Sequence, residues 1–239
     1  MSENICYTDA YSRQADAVVV ELDAVANAVL LDRTVFYPGG GGQPADTGQL
    51  IGDSGGSWPV IGATKRGDEI WHSLDGELSA IDRRVIVELD WDRRHRLMRT
   101  HSALHVLCGV VWRDYQASVT GGNMEPLLGR MDFEFETMSA DLVAEIETRV
   151  NAEIAADRDI RVNVLPRDEA FAIPDLIRTK INLLPDGISA VRTIEIVGLD
   201  LQADGGTHVA HTGEIGTVRV TGYESKGRIN KRIRIAVDD

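Results

Sequence analysis

Arg94-His-Arg-Leu-Met-Arg-Thr-His-Ser-Ala-Leu-His-Val-Leu-Cys-Gly-Val-Val-Trp-Arg-Asp114 decides the reading of the fold. The stretch has few turn formers. Its apolar residues Leu97, Met98, Leu104, Val106, Leu107, Val110 and Val111 predict one long helix. Upstream the texture differs. Val18–Leu22, Val29–Leu31, Val60–Ala63 and Val85–Leu89 are short apolar or alternating runs. Turns such as Gly52-Asp-Ser-Gly-Gly56 separate them, which predicts a small barrel or sandwich. We therefore place a domain boundary near residue 91. Downstream, Ser139 is a plausible N-cap for a second helix with Leu142, Ile146, Val150 and Ile154 on one face. Asp141 lies near its positive end. A third helix is expected over Asp175–Asn182, with Pro174 at its first position. Strands are expected at Val191–Val197, Ile215–Val220 and Ile229–Val237. In the last, Ile229, Ile233, Ile235 and Val237 alternate with Arg228, Asn230, Arg232 and Arg234. The fold class is α+β, with a β-rich first part and a mixed second part.

The 239 residues carry a net charge of −13 at pH 7, with 43% hydrophobic and 26% charged residues. That is globular composition, and the length gives room for a sizeable core. A uniformly basic nucleic-acid binder is excluded. Residues 1–90 carry −9 of the charge and residues 91–239 only −4, so a polyanion is expected to approach the second part. No stretch approaches the roughly 20 apolar residues of a membrane span. The N-terminus, with Glu3 and Asp9, lacks the basic-then-apolar pattern of a secretion signal. Cys6 and Cys108 make no disulfide framework and suit a reducing cytoplasm, the expected location.

Three constellations carry chemistry. His101 and His105 stand four residues apart in the predicted helix, so both imidazoles share one face and can offer two nitrogens to one metal. Asp204-Gly-Gly-Thr-His208-Val-Ala-His211 places two glycines between a carboxylate and a histidine, and the tight turn they permit lets both face one point. His101, His105, Asp204 and His208 together make an acceptable zinc donor set. Equally, each pair can be structural, the first merely hydrogen-bonded and the second an exposed turn. Thr34-Val-Phe-Tyr-Pro-Gly-Gly-Gly-Gly-Gln43 offers successive backbone N–H groups that can approach a phosphate closely. No Gly-Lys-Ser/Thr follows, so it is not a P-loop. A flexible hairpin loop is an equally good reading.

Taken together and in order, these segments resemble the free-standing alanyl-tRNA editing proteins, the AlaX family, relatives of the editing domains of alanyl- and threonyl-tRNA synthetases. The resemblance runs through Leu31–Gly48, Leu89–His105, Gly198–Gly216 and the tail Lys226–Arg234. The N-terminal β part matches the medium-length class of the family. The resemblance implies a small β-barrel domain at 1–90, with the glycine-rich loop. At 91–239 it implies an α/β editing domain of the threonyl/alanyl-tRNA synthetase second-additional-domain type, holding one Zn2+. It implies hydrolysis of the ester joining serine or glycine to tRNA(Ala), with the mischarged acceptor end as partner and neither membrane nor DNA. His101, His105 and His208 match the family's metal ligands. Asp204 stands where the family usually has Cys. A carboxylate still binds zinc at about 2.0–2.2 Å, and such a site accepts other divalent metals more readily. Cys108, three residues after His105, and His211, three after His208, are possible substitute ligands, although Cys108 equally reads as a core position. His211 points away from His208 if the segment is a strand.

Thr34, Gly41, Gly42, Gln43 and Thr207 are the candidate substrate-binding residues. Thr34 is singled out because a polar group must reward the serine hydroxyl over alanine. Arg93, Arg94, Arg96, Arg99, Lys226, Arg228, Lys231, Arg232 and Arg234 are candidates for phosphate contact, or ordinary solvated faces. No residue is assigned to activate water. The sequence order suggests no Ser-His-Asp nucleophile, and no Glu lies inside the HxxxH segment. Rival readings are a zinc peptidase or amidohydrolase, and a release-factor-like hydrolase from Gly41-Gly42-Gln43. A non-catalytic tRNA-binding module with a degenerate site is a third.

Overall fold

The computed structural model describes residues 2–179 and 187–239. The strands in chain order are β1 (Glu3–Asn4), β2 (Gln14–Asp23), β3 (Ala28–Leu31), β4 (Arg33–Thr34), β5 (Gly48–Gly52), β6 (Ser57–Arg66), β7 (Glu69–Leu74) and β8 (Arg84–Leu89). They continue with β9 (Val119–Glu125), β10 (Leu128–Glu134), β11 (Ile160–Pro166), β12 (Ala190–Ile196), β13 (Asp200–Ala203), β14 (Val218–Ser225) and β15 (Asn230–Val237). The helices are α1 (Trp91–Tyr115), α2 (Ala140–Ala155) and α3 (Arg167–Ala172).

The chain divides into two compact units, Met1–Arg96 and Leu97–Asp239. In the first, six strands close into a barrel in the order β2-β3-β7-β6-β5-β8. Of the expected barrel or sandwich, the barrel is the outcome. Closure leaves no open edge to cover. Val29, Leu31, Leu50, Val60, Val85, Val87 and Leu89 are buried in its core. Gly48 marks a close approach between strands: a Cβ there would lie 2.7 Å from the Leu89 Cα.

In the second unit, two antiparallel sheets form, β14-β15-β10-β9 and β11-β12-β13. From Leu97 to Val111, α1 is buried nearly all round, as its apolar residues require. Two glycines set its position. A Cβ on Gly129 of β10 would lie 3.0 Å from Leu104, and a Cβ on Gly109 would lie 2.9 Å from the Asp200 Cβ. The helix thus touches β10 on one side and the start of β13 on another. Ser139 caps α2 as expected, its side chain accepting the Leu142 N–H. The buried face of α2 is Val143, Ile146, Val150 and Ile154, so Val143 replaces Leu142 in the expected stripe.

Three expectations fail. The third helix over Asp175–Asn182 does not form at Asp175–Thr179, and residues 180–182 lie outside the described residues. A short helix, α3, instead precedes Pro174. Proline disfavours a helical residue before it, and Ile173 is extended at φ −77, ψ 119. Asp175 then turns left-handed at φ 57. The strand expected at Ile215–Val220 starts only at Val218. Thr212–Ile215 is a 3-10 turn, and Gly216 at φ 83 separates the two. In β15 the buried residues are Lys231, Ile233, Ile235 and Val237, whereas Ile229 precedes the strand and is 40% exposed.

Candidate metal centre

His101 and His105 project from the third and fourth turns of α1 on one face, with ring centroids 5.0 Å apart. Asp204 and His208 come from the segment after β13. The ladder Thr193–Ala203 continues one step, with the Asp204 N–H donating to the Arg192 carbonyl at 3.1 Å. The Arg192 guanidinium donates to the Asp204 carbonyl at 3.0 Å. The Gly205-Gly206 pair then turns the chain, and the Gly206 N–H donates to Asp204 Oδ2 at 2.6 Å. Because α1 rests against Asp200 through Gly109, the end of β13 arrives beside the histidine face of the helix.

Four donor groups result. Nε2 of His101, His105 and His208 lie 3.6, 3.9 and 3.2 Å from the Asp204 carboxylate oxygens. The four donor atoms all lie within 4.8 Å of one another. The group is buried, with His101 and His208 each 4% exposed. Burial pushes the His101 pKa down to about 4, against the pull of Asp204. Burial, then the neighbouring His101, holds His208 well below its ordinary value. Burial opposes the Asp204 charge, but His101 and a hydrogen bond with His208 outweigh it and hold the carboxyl well below the usual range. Neutral imidazoles and an ionised carboxylate are the protonation states a cation needs. Three nitrogens and one oxygen converging within coordination reach fit a metal ion.

Sequence reading missed the residues behind the ligands. Ser102, fully buried, stands 3.1 Å from His208 Nδ1 and accepts the Val209 N–H at 3.2 Å. His101 is held by a hydrogen bond to the Thr207 backbone. A Ser-His-Asp series, Ser102–His208–Asp204, therefore exists although the sequence order suggested none. It is no nucleophile array, because Ser102 has no exposed surface. The only available signal for Ser102 was its place inside His101-Ser-Ala-Leu-His105. Neither alternative ligand joins the group. Cys108 is buried, and its thiol is pushed up by burial and then by Asp200. His211 is half exposed and pairs with Asp159.

Thr34, Gly41, Gly42 and Gln43 belong to the first unit. Thr34 is fully buried, its hydroxyl 2.8 Å from His72 Nε2 and accepting the Phe36 N–H at 3.1 Å. Gly39, Gly40, Gly41 and Gly42 all have positive φ, which only glycine adopts in succession without strain. Gly40 and Gln43 exchange backbone hydrogen bonds, and the Tyr37 hydroxyl donates to the Gly40 carbonyl. Gln43 and Thr207 are buried.

Most of the expected phosphate contacts have protein partners. Arg94 is wholly buried against Asp46, and Lys231 is buried, donating to the Gly227 and Arg228 carbonyls. Arg93 donates to the Ala45 carbonyl, and Arg99 to the Ile215 carbonyl. Arg232 pairs with Asp132 through two bonds, and Lys226 and Arg234 with Glu224. Arg96 and Arg228 are exposed.

Two stretches of the chain define its class. Residues 6–94 match the family model of class II (A) tRNA synthetases, and residues 191–234 match the threonyl and alanyl tRNA synthetase second additional domain. That segment carries Asp204 and His208. The particular family follows from whole-chain relatives. The chain is 38% identical to the alanyl-tRNA editing protein AlaX-M of Saccharolobus solfataricus, covering 99% of both chains. It is 36% identical to that of Methanosarcina barkeri over 100% of both. It also matches the alanine–tRNA ligase of Ignicoccus hospitalis at 36% identity, over 92% of this chain and 24% of the ligase. The chain belongs to the AlaX-M family of alanyl-tRNA editing proteins. Among the described residues, no helix is long and apolar enough to cross a membrane.

Proposed function

We propose that this chain is a cytoplasmic trans-editing hydrolase that deacylates tRNA(Ala) mischarged with serine or glycine, with one Zn2+ held by His101, His105, Asp204 and His208. In this reading residues 1–90 are the β-barrel domain carrying the glycine-rich loop, and residues 91–239 are the editing domain. The observation that carries it is the convergence of four donor atoms within 4.8 Å in a member of an editing family.

A zinc ion in this group supplies Lewis acidity, toward a water or toward the amino group of the aminoacyl end. The chain's own residues prepare the site. Thr207 and Ser102 orient His101 and His208. Gly206 fixes one oxygen of Asp204, leaving the other facing His101 and His105. Burial excludes bulk water and strengthens every charge–dipole interaction inside. Gly41, exposed, and Gly42, half-buried, offer backbone N–H groups and are the proposed substrate-binding residues, whereas Thr34, Gln43 and Thr207 are buried and do not present their side chains at the surface. Arg96, Lys226 and Arg228 are exposed and basic, and they are the proposed tRNA contacts.

Incubation of the protein with seryl-, glycyl- and alanyl-tRNA(Ala), with and without chelator, tests the reading. Release of serine or glycine with alanine spared, abolished by chelator, is the expected result. Tight tRNA binding without release of any amino acid would replace it with a binding module.

A further inference from the structure

We infer that Ser102 is the positioning residue that lets His208 present a bare Nε2 to a cation, its hydroxyl accepting a proton bond from Nδ1 when the metal is bound and donating one when it is not. This rests on the metal reading given above, and it deepens that reading by naming what sets the ligand's tautomer.

The argument is one of donors and acceptors. His208 is buried, with its two ring nitrogens facing different partners: Nε2 lies 3.2 Å from Asp204 Oδ2 and Nδ1 lies 3.1 Å from Ser102 Oγ. A carboxylate oxygen only accepts, so a hydrogen bond to it places the ring proton on Nε2. Nδ1 is then an acceptor, and Ser102 must donate to it. Coordination through Nε2 demands the opposite tautomer, because a ligating nitrogen carries no proton. The proton then sits on Nδ1 and needs a buried acceptor. One proton leaves Nε2 and one arrives on Nδ1, so the ring stays neutral throughout.

Few side chains serve both states. A hydroxyl does, because it rotates and holds one donor and two lone pairs. A carboxylate behind Nδ1 would favour the Nδ1–H form alone, and an ammonium would block it. Ser102 Oγ also accepts the Val209 N–H at 3.2 Å, from the residue next to His208. The same atom therefore fixes the backbone and the ring of one ligand. Ser102 is wholly buried, so no water replaces the bond.

The test uses the full-length protein with 15N-labelled histidine. The tautomer of His208 is read by long-range 15N–1H correlation before and after one equivalent of Zn2+, and zinc affinity is measured by competition with a chromophoric chelator. In the wild type the ring proton is expected to move from Nε2 to Nδ1 on zinc addition. Ser102→Ala should weaken zinc binding by about 10–100-fold, the range for lost orienting partners. Ser102→Thr, which keeps the hydroxyl, should remain within about threefold of wild type on the same scale. A merely structural role would lower the melting temperature of both metal-free variants without separating their zinc affinities. Unchanged affinity in a folded Ser102→Ala protein overturns the inference and leaves the metal site standing. If Ser102→Ala does not fold, the wild-type spectrum decides: a ring proton still on Nε2 with zinc bound overturns it. No zinc binding by the wild type overturns the metal reading and this inference with it.

Discussion

Asp46→Asn should be among the most damaging isosteric changes in the barrel unit. Arg94 has no exposed surface, and its Nε donates to both Asp46 oxygens at 3.0 Å. Its remaining donors go to the Asp46 carboxylate and to the Ala10 and Val35 carbonyls, at 3.0 and 2.7 Å for the last two. Asp46 also accepts the Tyr37 N–H at 2.6 Å and returns its own N–H to the Tyr37 carbonyl at 3.0 Å. The pair therefore closes the base of the 38–45 loop. Asparagine keeps the shape but removes the charge, which leaves a buried guanidinium uncompensated. Breaking such a pair costs about 3–5 kcal/mol, whereas replacing both partners with apolar groups is often near neutral. Against a typical total of about 5–15 kcal/mol, the loss is large. Urea unfolding followed by tryptophan fluorescence measures it, because Trp58 and Trp71 are buried in this unit. Asp46→Asn should lower the midpoint at unchanged slope, and Asp46→Leu/Arg94→Met should be less damaging than either single change. Hydrogen exchange across residues 39–45 should accelerate in Asp46→Asn. A loss below about 1 kcal/mol, the scale of one exposed pair, would refute the account of this pair.

Other tests reach other parts of the molecule. His72 is buried, and burial lowers its pKa from 6.5 to about 4. It stays neutral when folded and takes up a proton only when unfolded, so its contribution is complete above pH 6.5 and is lost as pH falls toward 4. The loss is about 3 kcal/mol at most, and a pH series of denaturation midpoints should be flatter over that window in His72→Gln. Gly48→Ala brings a Cβ against the Glu88 carbonyl and the Leu89 Cα; overpacking of this kind costs about 1–3 kcal/mol or more, read as a fall in the barrel midpoint. Asp204→Ala removes one of four donors and should weaken zinc binding at least about tenfold, the lower figure for losing even an orienting partner. Chelator competition checks it, and equal affinity would remove Asp204 from the site.

The parts of the fold legible in the sequence were those with a single dominant local signal. The His101–His105 spacing read true because α1 is a long, regular helix, where residues four apart share a face. Ser139 read true because a cap is a local hydrogen bond. Asp204 and His208 were legible as donors beside those histidines, but the fold that joins the two segments was not, since it depends on Gly109 letting α1 approach Asp200. Over Asp175–Thr179 the proline signal misleads, because Pro174 follows the end of α3 at an extended Ile173 and Asp175 is left-handed. Lys231 misleads because its charge does not entail exposure. Its alkyl stem lies on the buried face of β15, and its ammonium reaches two carbonyls in the preceding turn. Arg94 followed the same rule, its charge answered by an aspartate 48 residues away.

The measurement closest to the central claim is deacylation of seryl-tRNA(Ala) by the metal-loaded protein, compared with the same protein after chelation and with the Asp204→Ala variant. The account predicts rapid serine release, alanyl-tRNA(Ala) spared, and release falling toward the buffer rate when either the metal or Asp204 is removed. Serine release that survives both, or no release from the loaded protein with seryl- or glycyl-tRNA(Ala), would contradict it.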